Sequence, residues 1–385
     1  MRIAHVSDGY LPRMGGIERQ VQGLTHAQLT AGHDVEIVTS VSPDDRATRV
    51  PVRGPERSGG RPGAIRYLTT FSGRDTVLAG GYDLVHVHAS CASPLAWLTA
   101  ASSIRAGLPT VVTTHSFWSW ANPIFRGFDV ALDWRSWPVT WTSVSQVAAD
   151  SVAQVARPSA DRPILLIPNG VDPELWRPDR LPRQRDRVVL VSVMRLATRK
   201  RPLHLLKMLR AVRERTPAGM ALEVRIIGDG PKRAAMEAYL RRHRMADWVQ
   251  LTGQLSQPEI RRVFDDADVY LSPAVLETFG IAALEARCAG LPVVAFGQTG
   301  VSDFIDDERN GLLVDTDAGF VDAVTRLACS AADRERLTAH NLATESGFTW
   351  PNVLRACDRA YAEAFDRVGR ASGVPGPAWL PVPGR

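Results

Sequence analysis

Seven residues separate two glutamates, Glu277 and Glu285, in the stretch from Ser272 to Ala286. Asp268–Ser272 ahead of them reads as a buried strand. An apolar, alanine-rich run after Gly280 reads as a helix, stopped by Gly290 with Pro292 just beyond. That pattern puts Glu277 on a loop at the carboxyl end of a strand and Glu285 on the helix that follows. Ligands of open α/β sheets bind at that edge. Free N–H groups at a helix start suit a phosphate, and a carboxylate further along can accept hydrogen bonds from ribose hydroxyls.

Other residues offer complementary chemistry. Arg195 and Lys200 follow the strand Val188–Val193, where a planar guanidinium and a point charge could clamp a diphosphate; the bland reading is solvated loop charge. Gly228-Asp229-Gly230-Pro231 follows the next strand, and it serves equally as a nucleotide turn or as a plain turn with Pro231 opening a helix. Gly15-Gly16-Ile17-Glu18 follows the first strand, and glycines there let the backbone approach a phosphate. An ordinary tight βα turn would need the same residues, and the glycine spacing is not that of the dinucleotide fingerprint. His115 ends the strand Thr110–Thr114, a place from which it could contact substrate or merely cap a turn.

These residues require a particular frame. Short β-type runs alternate with helical patterns along the chain, the pattern of α/β folds. Expected strands in the first half are Ile3–Ser7, Val35–Thr39, Leu84–His88, Thr110–Thr114, Trp141–Ser145 and Ile164–Ile167. A helix is predicted over 17–31, with Ile17, Val21 and Leu24 on one face, and another from Ser93-Pro94 to near Gly107. Residues 42–64, rich in Pro, Gly, Arg and Asp, read as a long loop. The four prolines within 168–186 make that stretch a linker. Alternation resumes at Val188–Val193 and continues through Glu223–Ile227, Val249–Leu251, Asp268–Ser272, Pro292–Phe296 and Leu312–Val314. The domains expected are 1–168 and 187–348 with a linker at 169–186, and a tail over 371–385 rich in Gly and Pro reads as disordered. Asp265, Asp266 and Asp268 read as a helix end and a strand start rather than a metal site.

The composition is that of an ordinary globular chain of 385 residues, 45% hydrophobic and 23% charged. Its +5 net charge permits nucleic acid, anionic membrane or phosphorylated small molecules as partners, yet no nucleic-acid signature is present. Cys91, Cys288, Cys329 and Cys357 lack metal or redox spacing and read as reduced thiols. No stretch is apolar for the roughly 20 residues a transmembrane helix needs, and the amino terminus reads as a strand, so a cytoplasmic location is expected. Five of the ten tryptophans fall within 118–141, alongside Phe117, Phe125 and Phe128. Core packing explains Trp141; an aromatic lid over an acceptor or a membrane-interface patch are the functional options for the others.

Taken in order along the chain, Gly15-Gly16-x-Glu18, Gly32-His33-Asp34-Val35, Val85-His86-Val87-His88, Ile167-Pro168-Asn169-Gly170-Val171-Asp172, Arg195 with Lys200, Gly228-Asp229-Gly230-Pro231, and Glu277-x-Phe279-Gly280 with Glu285 resemble the family-4 retaining glycosyltransferases. The resemblance implies the GT-B architecture, two facing Rossmann-like doubly wound domains with a cleft between them. It implies that the Gly16 backbone approaches donor phosphates and that Arg195 and Lys200 neutralise the leaving diphosphate. Glu277 and the Phe279-Gly280 backbone would contact the donor sugar, Gly228 and Gly230 would lie on the donor side, Glu285 would bind the ribose, and His115 would line the acceptor side. It further implies that a helix over 349–366 packs back on the first domain, and that no metal or other cofactor is required. Three departures stand out: Met194 where Gly is frequent, Ala274 for a common Ser, and Thr299-Gly300-Val301-Ser302-Asp303 where a Gly-Gly pair and a Glu are usual.

The leading expectation is a hexosyltransferase acting on a nucleoside diphosphate sugar and a hydroxyl acceptor. The alternatives are a sugar-nucleotide epimerase of the same architecture and a catalytically inactive sugar-nucleotide-binding protein. Arg46, Arg49, Arg53, Arg57 and Arg61 in the long loop fit a lipid-linked or phosphorylated acceptor at an anionic membrane surface. Asp44, Asp45 and Glu56 dilute that charge, and a soluble polyhydroxy acceptor would explain the aromatics as stacking walls.

Overall fold

The computed structural model describes residues 1–10, 15–40, 49–52, 63–118, 137–156, 163–178 and 186–372. The chain divides into two compact units, Met1–Gly170 with Phe348–Arg385, and Val171–Gly347. Both are α/β units built on a sheet that is mainly or wholly parallel.

The first unit carries eight described strands in the order β3-β4-β2-β1-β5-β6-β7-β8. They are β1 (Arg2–Ser7), β2 (Asp34–Thr39), β3 (Arg49–Val52), β4 (Gly63–Tyr67), β5 (Leu84–Ala89), β6 (Thr110–Thr114), β7 (Thr140–Ser143) and β8 (Leu165–Leu166). All pairings are parallel except β3 with β4. β3 corrects the expectation of an uninterrupted loop over 42–64. Arg-Val-Pro-Val is too short to show a period, and its proline is tolerated because β3 is an edge strand. The arginines at 46, 53, 57 and 61 lie outside the described residues, as do Trp120, Phe125, Phe128, Trp134 and the tail beyond Ser372.

Strands buried on both faces read as nearly continuous apolar runs. In β1, β5 and β6 one face does so: Ala4, Val6, Val85, Val87 and Val112 pack against Leu95, Ala96 and Val152. Trp118 and Trp141 join this core, their rings T-shaped at 5.9 Å between centroids. Trp118 is therefore core rather than lid. The other face alternates apolar and polar. Ile3, Leu84 and Val111 pack against Val353, Ala356, Cys357, Ala360 and Tyr361 of the helix Trp350–Ser372, while His5 and His86, in register with each other, lie buried beside them.

The second unit is a six-stranded parallel sheet, β11-β10-β9-β12-β13-β14. Its strands are β9 (Arg187–Val193), β10 (Ala221–Ile227), β11 (Val249–Gly253), β12 (Val269–Ser272), β13 (Val293–Phe296) and β14 (Gly311–Val314). The first strand lies centrally and the order reverses between β9 and β12. This is the doubly wound arrangement with a topological switch point at that pair. Helices Pro202–Arg215 and Asp317–Cys329 supply Leu205, Leu209, Phe320 and Val324 to its core. Part of the stretch expected as a linker is folded here: Asp172 caps the short helix Pro173–Trp176, and buried Trp176 lies 5.5 Å from the Phe264 ring.

Candidate functional site

The loops after β9 and β12 leave the sheet on either side of the switch point, and they carry Arg195 and Glu277. Arg195 is exposed. Its loop is fixed from beneath by the loop after β10: Met194 N–H donates to Ile227 O at 2.9 Å, Leu196 N–H to Asp229 O at 2.9 Å, and Lys232 N–H to Leu196 O at 2.8 Å. Gly228, at φ 127°, is glycine because a Cβ would lie 1.9 Å from Met194 O, and at Gly230 a Cβ would lie 2.7 Å from Leu196 O. The two glycines thus hold the Arg195 loop. Their identity is explained by this packing, whatever role they have toward a ligand.

Lys200 ends the 3₁₀ turn Thr198–Lys200 and pairs with the Glu277 carboxylate. The neighbouring cations do not compete for this place. Arg201 makes two bonds to Asp317, at 2.8 and 2.7 Å, and lies over the Phe296 ring, so it ties the turn to the core. Arg199 is exposed. On the other side of Glu277, its carbonyl accepts from Gly300 N–H at 2.8 Å, and a Cβ on Gly300 would lie 2.1 Å from Thr278 O. In sequence, residues 299–303 stand out only as a departure from the family pattern; in the fold they brace the Glu277 loop. Gly300→Ala is expected to displace that loop and lower turnover while the donor KM changes less, as steady-state kinetics would read.

Phe279 is buried against Phe304, with ring centroids 5.4 Å apart. It anchors the loop from below, so its contribution to any ligand is through its backbone. Gly280 adopts φ 90° and starts the helix Ile281–Cys288, on which Glu285 is 7% exposed. Tyr270 of β12 donates its hydroxyl proton to Val193 O at 3.2 Å, joining the ends of the two strands that flank the switch point. Sequence reasoning missed Tyr270 because an aromatic in a buried strand looks like core.

In the first unit, Gly16 opens the helix Gly16–Thr30. Buried Glu18 folds back so that a Cβ on Gly15 would lie 2.2 Å from its carboxylate. A carboxylate in the first turn also complements the helix dipole. The helix Pro94–Arg105 starts as expected, with Ser93 as its N-cap residue and Pro94 in its first turn. Ser93 makes no side-chain cap bond; Asp8, just past β1, accepts from Leu95 and Ala96 N–H at 2.9 and 3.0 Å instead. Burial raises the Asp8 carboxyl above its usual range.

His115 follows β6 and meets a run of buried imidazoles. Its Nε2 lies 3.1 Å from His88 Nδ1, and His88 Nε2 lies 2.8 Å from His5 Nδ1. Burial lowers all four groups: His5 and His115 to about 4, His86 and His88 well below the usual range. His5, His86 and His88 also bring ring nitrogens within 4.8 Å of one another. Both nitrogens of His5 and of His86 already engage hydrogen-bond partners, so holding an ion would require breaking those bonds.

The histidines make the first unit acid-sensitive. Each binds its proton more weakly folded than unfolded, so the unfolded chain holds more protons between the unfolded value near 6.5 and the folded value near 4. Stability is therefore complete above about pH 6.5 and is lost as pH falls toward 4. Thermal melts across this range should show Tm falling with pH, and His5→Gln should flatten the slope.

Residues 14–175 match the model of Glycosyltransferase Family 4, and residues 186–330 match that of Glycosyl transferases group 1. The chain belongs to the family-4 glycosyltransferases and has the GT-B fold. It is 28% identical over 319 residues to the D-inositol 3-phosphate glycosyltransferase of Stackebrandtia nassauensis, covering 75% of this chain and 70% of that protein. It is 26% identical to one component of the human phosphatidylinositol N-acetylglucosaminyltransferase, covering 97% of this chain and 77% of that one. Among solved structures, Anabaena HepE in complex with UDP and glucose superimposes with a TM-score of 0.72 at 16% identity, over 93% of this chain and 98% of that one. No described helix is long and apolar enough to cross a membrane.

Proposed function

We propose that this glycosyltransferase moves a hexosyl group from a nucleoside diphosphate sugar to a hydroxyl acceptor with retention of anomeric configuration. The observation that carries this reading is the second unit's switch point: Arg195 and Lys200 after β9 on one side, Glu277 after β12 on the other and paired with Lys200 across it, and Glu285 on the helix beyond. Cleavage of a sugar–diphosphate bond places negative charge on the leaving oxygen. Cations fixed there stabilise charge that develops in the transition state, and no metal is needed for that task. Activity should accordingly survive EDTA. Complete loss on chelation, restored by Mg²⁺ or Mn²⁺, would contradict the assignment.

In this reading Glu285 accepts hydrogen bonds from the donor ribose, Glu277 and the Phe279-Gly280 backbone contact the sugar, and Gly16 and His115 serve the first unit's side of the reaction. Glu285→Ala should then raise the donor KM roughly ten- to hundredfold, the worth of hydrogen bonds to a charged group. Glu277→Ala should mainly lower kcat. Steady-state kinetics with the donor varied separates the two, and wild-type constants in both variants would refute the assignment.

For the acceptor, the names of both relatives pair sugar transfer with an inositol bearing phosphate, free in one and lipid-linked in the other. We favour a soluble polyhydroxy acceptor of that kind. Transfer to a free cyclitol phosphate supports this choice. Transfer only to an acceptor presented in anionic vesicles, with salt-sensitive sedimentation, reverses it.

A further inference from the structure

A hydrogen-bonded relay runs through the first unit from strand cores to His115. Thr142 Oγ1 lies 3.3 Å from Val112 O and 2.5 Å from Thr113 Oγ1. Thr113 Oγ1 lies 2.7 Å from His86 Nε2, and His86 Nδ1 lies 2.9 Å from the Tyr361 hydroxyl. Gln28 bridges the gap, with Nε2 2.7 Å from Tyr361 Oη and Oε1 2.6 Å from His5 Nε2. His5 Nδ1 then meets His88 Nε2 at 2.8 Å, and His88 Nδ1 meets His115 Nε2 at 3.1 Å. Every member but His115 is buried.

A chain of neutral imidazoles, hydroxyls and one amide can point only two ways, because each imidazole has one donor and one acceptor. Burial keeps these imidazoles neutral at pH 7. The far end selects the direction. A backbone carbonyl accepts and never donates, so Thr142 gives its single proton to Val112 O. Thr113 then gives its proton to Thr142, and His86 Nε2–H donates to Thr113. His86 Nδ1 is left to accept from Tyr361. The Tyr361 proton is committed there, so its oxygen accepts from the Gln28 amide NH₂. Gln28 Oε1 in turn accepts from His5 Nε2–H. His5 Nδ1 accepts from His88 Nε2–H, and His88 Nδ1 accepts from His115 Nε2–H.

We propose that this relay fixes His115 as the Nε2–H tautomer, which makes Nδ1 a hydrogen-bond acceptor, the polarity a substrate hydroxyl requires, and that Tyr361 of the C-terminal helix is the positioning residue that transmits the direction. The proposal rests on the reading that His115 serves the reaction. Its logic is that of a histidine whose useful nitrogen is chosen by what the other nitrogen bonds. It also gives the C-terminal helix a task beyond covering apolar surface, since Tyr361 joins the anchored half of the relay to the half ending at His115.

The test reads tautomers directly. In ¹⁵N-histidine-labelled full-length protein at pH 7, long-range ¹H–¹⁵N correlation should show His115 with Nε2 protonated and Nδ1 bare, the signal being assigned by its loss in His115→Ala. Tyr361→Phe removes one oxygen and frees the Gln28 amide to turn over. His115 should then populate both tautomers, and kcat should fall only about twofold, in proportion to the competent fraction. A wild-type His115 protonated at Nδ1, or a folded Tyr361→Phe protein with the wild-type tautomer, would overturn the relay. The wild-type spectrum decides even if the variant fails to fold. The two readings also fail separately. An unaltered kcat in His115→Ala with the expected wild-type tautomer removes His115 from the reaction but leaves the relay standing, and so overturns the catalytic half of the proposal.

Discussion

Replacing Arg195 by Ala is expected to lower kcat/KM for transfer roughly 100- to 1,000-fold, about 3 kcal/mol of transition-state stabilisation, the usual cost of losing one group aimed at developing charge. Stability should be unaffected within about 0.5 kcal/mol, because an exposed side chain away from packing contributes little to folding. The combination separates a charge-stabilising role from a structural one. Arg195→Lys should recover part of the loss, since it restores charge but not the two-pronged geometry. Lys200→Ala should cost a similar factor in rate and additionally strips Glu277 of its partner. An Arg195→Ala enzyme within threefold of wild type would remove the diphosphate assignment from this loop.

Truncation before Trp350 should abolish folding of the first unit, although the cut lies after the second unit in sequence. The helix Trp350–Ser372 buries Val353, Ala356, Cys357, Ala360, Tyr361 and Ala364 against Ile3, Leu84 and Val111. Burial of each large apolar side chain is worth about 1.5–3 kcal/mol. Together they rival the roughly 5–15 kcal/mol by which a whole domain is stable. Two further losses add to this. The Trp350 ring closes on Gly23 and Gly170, where a Cβ would lie 2.2 and 2.6 Å from it, and Tyr361 satisfies both Gln28 and His86. Expression of 1–347 should give aggregated protein or a broad, uncooperative melt. A soluble 1–347 chain with the full-length Tm and activity would contradict this account of the core.

The parts of the site that sequence made legible are those set by local pattern. Glu277, Gly280 and Glu285 could be placed on a loop and a helix because strand, turn and helix signals follow one another within twenty or so residues. The parts that stayed hidden depend on distant segments. Gly228 fits a nucleotide turn and a plain turn equally in sequence, and only the approach of Met194 O shows why no Cβ fits. Gly300 looked like a departure until Thr278 O was found against it. The relay joins residues from 5 to 361, and nothing in local sequence links them. The helix Thr70–Ala79 was missed because Thr69 caps it with little apolar periodicity to announce it, and β3 because its proline argues against a strand.

The most direct measurement of the central claim is a coupled assay of nucleoside diphosphate release across a panel of donor sugars, each with and without a hydroxyl acceptor, with products analysed by NMR. Release should require both a donor and an acceptor, the new glycosidic bond should keep the donor's anomeric configuration, and Glu277→Ala should lower kcat. A donor that binds, as shown by a raised Tm, and is isomerised in the absence of any acceptor would contradict transfer as this protein's reaction.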